Sequence, residues 1–170
     1  MLKYVDILVS FSEIPDEITL CINISQCPNN CKGCHSPWLR EDIGEDLNIE
    51  SLYSLINKNK GVTCVCFMGG DQDPAEISNL AFAVKLRSDY PYKTAWYSGK
   101  QHIPDELNVS DFDYIKVGPY IEEFGGLDDP NTNQKMYEVC RISKLPEKFV
   151  LKDITNKFWK NDRTEKESPC

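Results

Sequence analysis

The sequence predicts an α/β fold built on a parallel sheet of about five or six strands. Segments of strand and helix character alternate along most of the chain, the pattern that gives parallel strands joined by right-handed crossovers. Val62–Met68 is a nearly continuous apolar run, as suits a central strand covered on both faces. The strands are too few to close a barrel. With 170 residues the chain has enough for one sizeable core and too few for two ordinary domains. Residues 1–160 are therefore assigned to a single domain, and the polar, charged stretch 161–170 to a frayed tail.

Tyr4–Phe11 is a short apolar run suited to a first strand, and 12–17 reads as a turn. Ile18–Ile24 is rich in β-branched residues and reads as a second strand, which leads directly into a cysteine-rich loop. Ile49–Lys58 carries apolar residues at helical spacing and ends at Gly61. After the strand at 62–68, Asp73 is placed as an N-cap and Pro74 at the first position of a helix that stops before Pro91. Thr94–Tyr97 and Tyr114–Val117 are short strands, with a helical segment expected at Pro104–Val109. Asn133–Val139 is read as a helical turn or two, and Arg141–Leu151 as one or two late strands.

The net charge of −8 argues against duplex DNA or an anionic membrane surface as partner. No apolar run is long enough to span a bilayer, and the first residues lack the pattern of a secretory signal, so no membrane association is expected. Eight cysteines in this setting point to a reduced, cytoplasmic protein that ligates metal rather than to a disulfide scaffold. Cys64 and Cys66 share a strand face and read as small buried hydrophobes, as does Cys21; Cys140 and Cys170 are given no role.

Cys27, Cys31 and Cys34 stand at C-x3-C-x2-C spacing within nine residues that also hold Pro28, Asn29, Asn30 and Gly33. Those residues favour a tight loop, which can aim three thiolates at one centre. Thiolates suit iron–sulfur clusters, zinc or copper(I). Closed structural zinc sites and most cysteine-held clusters use a fourth protein ligand, so three thiolates on a cubic cluster would leave one iron open to a small molecule. The alternative is a zinc site completed by His35 or Cys21. Further on, Gly69-Gly70-Asp71 ends the buried strand, where glycines let a ligand approach the backbone and a carboxylate can take an ammonium group. Ser98 closes the next strand.

The cysteine loop resembles that of the radical S-adenosylmethionine (SAM) enzymes, and Gly69-Gly70-Asp71 resembles their Gly-Gly-Glu element with a shorter acid. Val117-Gly118-Pro119-Tyr120 and Asn131–Lys135 are similar to regions of the activating enzymes of anaerobic (class III) ribonucleotide reductase, as are the stretches 11–17, 34–39 and 153–159. Departures are Val117 and Lys135, where that family carries Asp and Arg. The resemblance implies a partial, open barrel of the radical SAM kind. It implies a [4Fe-4S] cluster on Cys27, Cys31 and Cys34, the catalytic centre. S-adenosyl-L-methionine would be positioned by Gly69, Gly70, Asp71 and Ser98. The implied chemistry is reductive cleavage of SAM to methionine and a 5′-deoxyadenosyl radical. That radical takes a hydrogen atom from a glycine of a partner, here the large subunit of anaerobic ribonucleotide reductase. A reducing donor such as flavodoxin or ferredoxin is implied as well. Trp38 and Tyr97 are placed near the site and His35 as an outer contact. Competing readings are an activase of pyruvate formate-lyase type, a small-molecule radical SAM enzyme, a non-enzymatic zinc-binding module, and a thioredoxin-like role for Cys31-Lys32-Gly33-Cys34.

Overall fold

The strands β1 (Lys3–Ser10), β2 (Thr19–Ile24), β3 (Glu45–Asp46), β4 (Cys64–Met68), β5 (Lys93–Tyr97), β6 (Tyr114–Val117), β7 (Lys135–Lys144) and β8 (Glu147–Asp153) form one sheet in the order β3-β1-β2-β4-β5-β6-β7-β8. Two α-helices accompany it, α1 (Ile49–Lys58) and α2 (Pro74–Lys85). The computed structural model describes residues 1–144 and 147–159, so the tail assigned to 161–170 lies outside the described residues.

This sheet corrects the expected fold class. It is mixed rather than parallel: β2·β4, β4·β5 and β5·β6 pair parallel, whereas β1·β3, β1·β2, β6·β7 and β7·β8 pair antiparallel. It is not a helix-rich open barrel of about five or six parallel strands. The reason lies in the connections. A parallel crossover takes about a dozen residues or more, and only Phe11–Ile18 separate β1 from β2. The segment between β6 and β7 is longer but contains turns and an isolated bridge, Ile121 to Gly125, in place of a helix.

Two local expectations also change. Residues 135–139 are strand, not helix: β7 pairs with the exposed edge of β6, with Met136 opposite Lys116 and wholly buried. Pairing and burial override a weak local preference there. Residues 104–108 form turns, and the 3₁₀ turn begins only at Val109.

Strand alternation divides the core between the two faces of the sheet. The row Ile22, Phe67, Trp96 and Ile115 runs across β2, β4, β5 and β6, is fully buried, and belongs to the larger core cluster, shared with α1 and α2. The neighbouring row Cys21, Cys66, Ala95 and Tyr114 points to the other face and packs with Ile14, Met136 and Ile154. Cys21, Cys64 and Cys66 thus serve as small buried hydrophobes, as their spacing suggests. Among the described residues no helix is long and apolar enough to cross a membrane.

Candidate functional site

One step beyond the cysteine-bearing row, at the C-terminal ends of the parallel strands, lies the row Asn23, Met68, Tyr97 and Lys116. All four line a cavity of about 220 Å³. The strand-end segments close around it. The cysteine loop follows β2, Gly69–Asp71 follow β4, Ser98 and Gly99 follow β5, and Gly118 follows β6. In sheets with a parallel centre this is where ligands bind, because loops from successive strands converge there.

Cys27, Cys31 and Cys34 are half-buried free thiols, and all three line this cavity. The loop that carries them is held by its backbone and by one arginine. Cys27 N–H donates to Leu39 O at 2.9 Å, Cys34 N–H donates to Cys31 O at 3.3 Å, and Arg40 donates to Cys31 O at 2.8 Å. Burial pushes the Cys27 thiol above its ordinary value; hydrogen bonding with Asn29 opposes that, and the nearby Asp71 charge adds to it.

Asp71 is 3% exposed, and its carboxylate organises the site. Oδ1 accepts from Ser98 Oγ at 2.5 Å; Oδ2 accepts from Asn29 Nδ2 at 2.5 Å and from Gly99 N–H at 2.9 Å. One carboxylate therefore joins the cysteine loop to the ends of β4 and β5. Gly69 O accepts the indole N–H of Trp96 at 2.7 Å, and Gly69 N–H donates to Tyr97 O at 2.9 Å, so Gly69 is built into the sheet end. Gly69 lines the cavity with Asp71 and Ser98, whereas Gly70 packs behind it against Ile77.

Lys116, which sequence reading allows to contact a carboxylate but takes more often to be a solvated strand lysine, is buried instead. It is 8% exposed, and its ammonium donates to Gly118 O at 2.8 Å and Ser98 O at 3.3 Å. Burial lowers its pKa to about 8, against the pull of Asp71 and Cys31. Gln134, 6% exposed, reaches the same Gly118 carbonyl at 3.5 Å. Asn29, read from sequence only as a turn residue, also joins the site through Asp71.

Tyr97, Lys116, Tyr120 and Gln134 also line a second, larger cavity of about 850 Å³ on the same face of the sheet. It is lined as well by Phe11, Glu13, Asp128 and Phe158. Tyr97 O–H donates to Glu13 O. His35 lines this larger space, its ring 4.8 Å from that of Tyr120. Trp38 lines neither cavity and is 49% exposed.

The donor set fits an iron–sulfur cluster with an open iron. Three soft thiols face one space beside a carboxylate whose lone pairs are largely taken up by protein donors. Among the described residues no three His, Cys, Asp or Glu side chains are gathered to hold a single metal ion. A cubic cluster would take each thiolate on a separate iron, so it does not need three ligands gathered on one metal ion. Comparison with protein-family models, curated proteins and solved structures finds no match to this chain.

Proposed function

We propose that this chain is a radical SAM activase that generates a glycyl radical on a partner enzyme, the anaerobic ribonucleotide reductase. The observation that carries the reading is the convergence of Cys27, Cys31 and Cys34 with Gly69, Asp71 and Ser98 on one cavity at the strand ends. The C-x3-C-x2-C spacing supplies the thiolates, and the motif resemblances along the chain supply the choice of partner. Cys27, Cys31 and Cys34 would hold a [4Fe-4S] cluster. When bound, that cluster supplies the electron for reductive cleavage of SAM, delivered to it by a donor such as flavodoxin or ferredoxin.

The chain's own residues bind and orient. A carboxylate offers about four acceptor positions. Asp71 uses three of them on Ser98, Asn29 and Gly99, which leaves one at Oδ1 for the ammonium of the methionyl group. Lys116 adds a cation on the same wall, so both charges of a zwitterionic amino-acid end meet a complement. Ser98 Oγ donates to Asp71 and accepts from Lys100 N–H, so it holds the carboxylate in place beside the cavity. The larger cavity shares Tyr97, Lys116, Tyr120 and Gln134 with the cysteine cavity, and it is the space through which a glycine-bearing loop would approach. The setting proposed is the reducing cytoplasm, with no nucleic acid or membrane as partner.

The test is anaerobic reconstitution with iron and sulfide, followed by EPR of the reduced protein with and without SAM. About four irons per chain and a reduced-cluster signal that changes on adding SAM are expected. A single zinc with no response to SAM would overturn the reading and make the three cysteines a structural clip.

A further inference from the structure

Asn29 touches a cysteine sulfur and the buried carboxylate at the same time. Its Nδ2 lies 2.5 Å from Asp71 Oδ2 and 3.7 Å from Cys27 Sγ, and the amide nitrogen has two hydrogens to give. A carboxylate only accepts, so the nitrogen rather than the oxygen of the amide must face Asp71. The backbone opposite is shaped for this side chain. A Cβ at Gly99 would lie 2.5 Å from Asn29 Nδ2 and 3.0 Å from its Cγ, so any larger residue at 99 would displace the amide. Gly99 N–H meanwhile donates to the same Asp71 oxygen, which fixes that backbone in place.

We infer that Asn29 is a positioning residue whose amide ties the cysteine loop to the ends of β4 and β5 and donates to the sulfur of Cys27. The second half rests on the cluster reading above. An N–H aimed at a ligating sulfur stabilises the more negative, reduced state of a cluster and raises its potential. The first half depends on the protein alone. The bond spans 42 positions in sequence.

Two variants separate these effects from a general loss of packing. Asn29→Leu keeps the shape of the side chain and removes its donors; Gly99→Ala displaces the amide without altering it. In metal-free protein, hydrogen exchange of the amides in 27–34 is expected to quicken about tenfold or more in both variants, the loss of one charge-assisted bond, with the strands unchanged. In reconstituted protein, both are expected to give a more negative midpoint potential in an EPR-monitored redox titration at full iron content. Unchanged exchange together with an unchanged potential would overturn the inference. Faster exchange at an unchanged potential would leave the tether and overturn the tuning. A variant that no longer takes up iron is judged by its exchange. If the parent protein takes up no cluster, the function reading fails and the tuning with it, while the exchange still decides the tether.

Discussion

Gly70 sits at φ +84°, where a side chain is strained, and a Cβ there would lie 2.4 Å from Ile77 Cδ1. Its neighbours Gly69 and Asp71 face the cavity while Gly70 backs onto the first turns of α2. Gly70→Ala is therefore expected to destabilise the protein by about 1–3 kcal/mol, from strain and overpacking together. Because the shift is passed to Asp71, iron uptake should fall as well. Urea unfolding and iron content after reconstitution check the two effects, and an unchanged midpoint would remove the argument. At this scale the sequence made legible what depends on spacing and turn chemistry, namely three cysteines in a short loop and two glycines before an acid. Asn29 was legible only as a turn residue, Lys116 as a strand lysine more often solvated, and Gln134 as part of the 131–135 stretch, because their roles come from distant partners. Asn29 meets Asp71 across 42 positions, and Lys116 is buried by β7, a strand that has to be paired before that lysine can be seen as interior.

The elements that position the site were legible where local chemistry is strong. Asp73 caps α2 as its residue type suggests, its side chain accepting from Glu76 N–H at 3.1 Å, with Pro74 at the first helical position. Replacing Asp73 with alanine leaves that amide without its partner and is expected to cost about 1 kcal/mol. In a chain of this size that lowers Tm by about 2–4 °C, read by calorimetry on the metal-free protein. A loss of less than a quarter of that would mean that packing of Ile77, Leu80 and Val84 alone sets the start of the helix. β4 and the end of β2 also stand where their apolar runs place them. β7 does not, because Lys135–Val139 has little β-branched content and becomes strand only against β6.

For the molecule as a whole, local pattern and global topology part company. Alternating strands and helices describe β2, β4, β5 and β6 with α1 and α2 among them, and there the parallel order holds. The two ends add antiparallel strands through connections without a helix, which no count of elements reveals. This topology leaves the face opposite the helices lined by thiols, and that has a consequence for stability. Burial pushes the Cys21 thiol up to about 12 from 9.0, and pushes those of Cys64 and Cys66 well above the same value. Each keeps its proton in the folded state and loses it on unfolding once the pH passes about 9, so each lowers stability as pH rises from there. Lys116 acts in the opposite sense. Held at about 8 against 10.5 when free, it is neutral in the folded state while still charged in the unfolded one, so it favours folding increasingly between those values. Between pH 8 and 9 the lysine is opposed by the first ionisation of the thiols in the unfolded chain, and stability should stay about level. Above pH 9 these three thiols alone outweigh it by about two protons, a fall of about 2–3 kcal/mol per pH unit at about 1.4 for each proton, and Cys27 and Tyr97, which burial also pushes up, deepen it. Urea titrations of reduced, metal-free protein from pH 7 to 10.5 measure this, and Cys66→Ala should lower the slope by about one proton. A stability that stays level from pH 9 to 10.5 would show that the thiols on this face are not shut away from water, and the second core would have to be drawn as an open one.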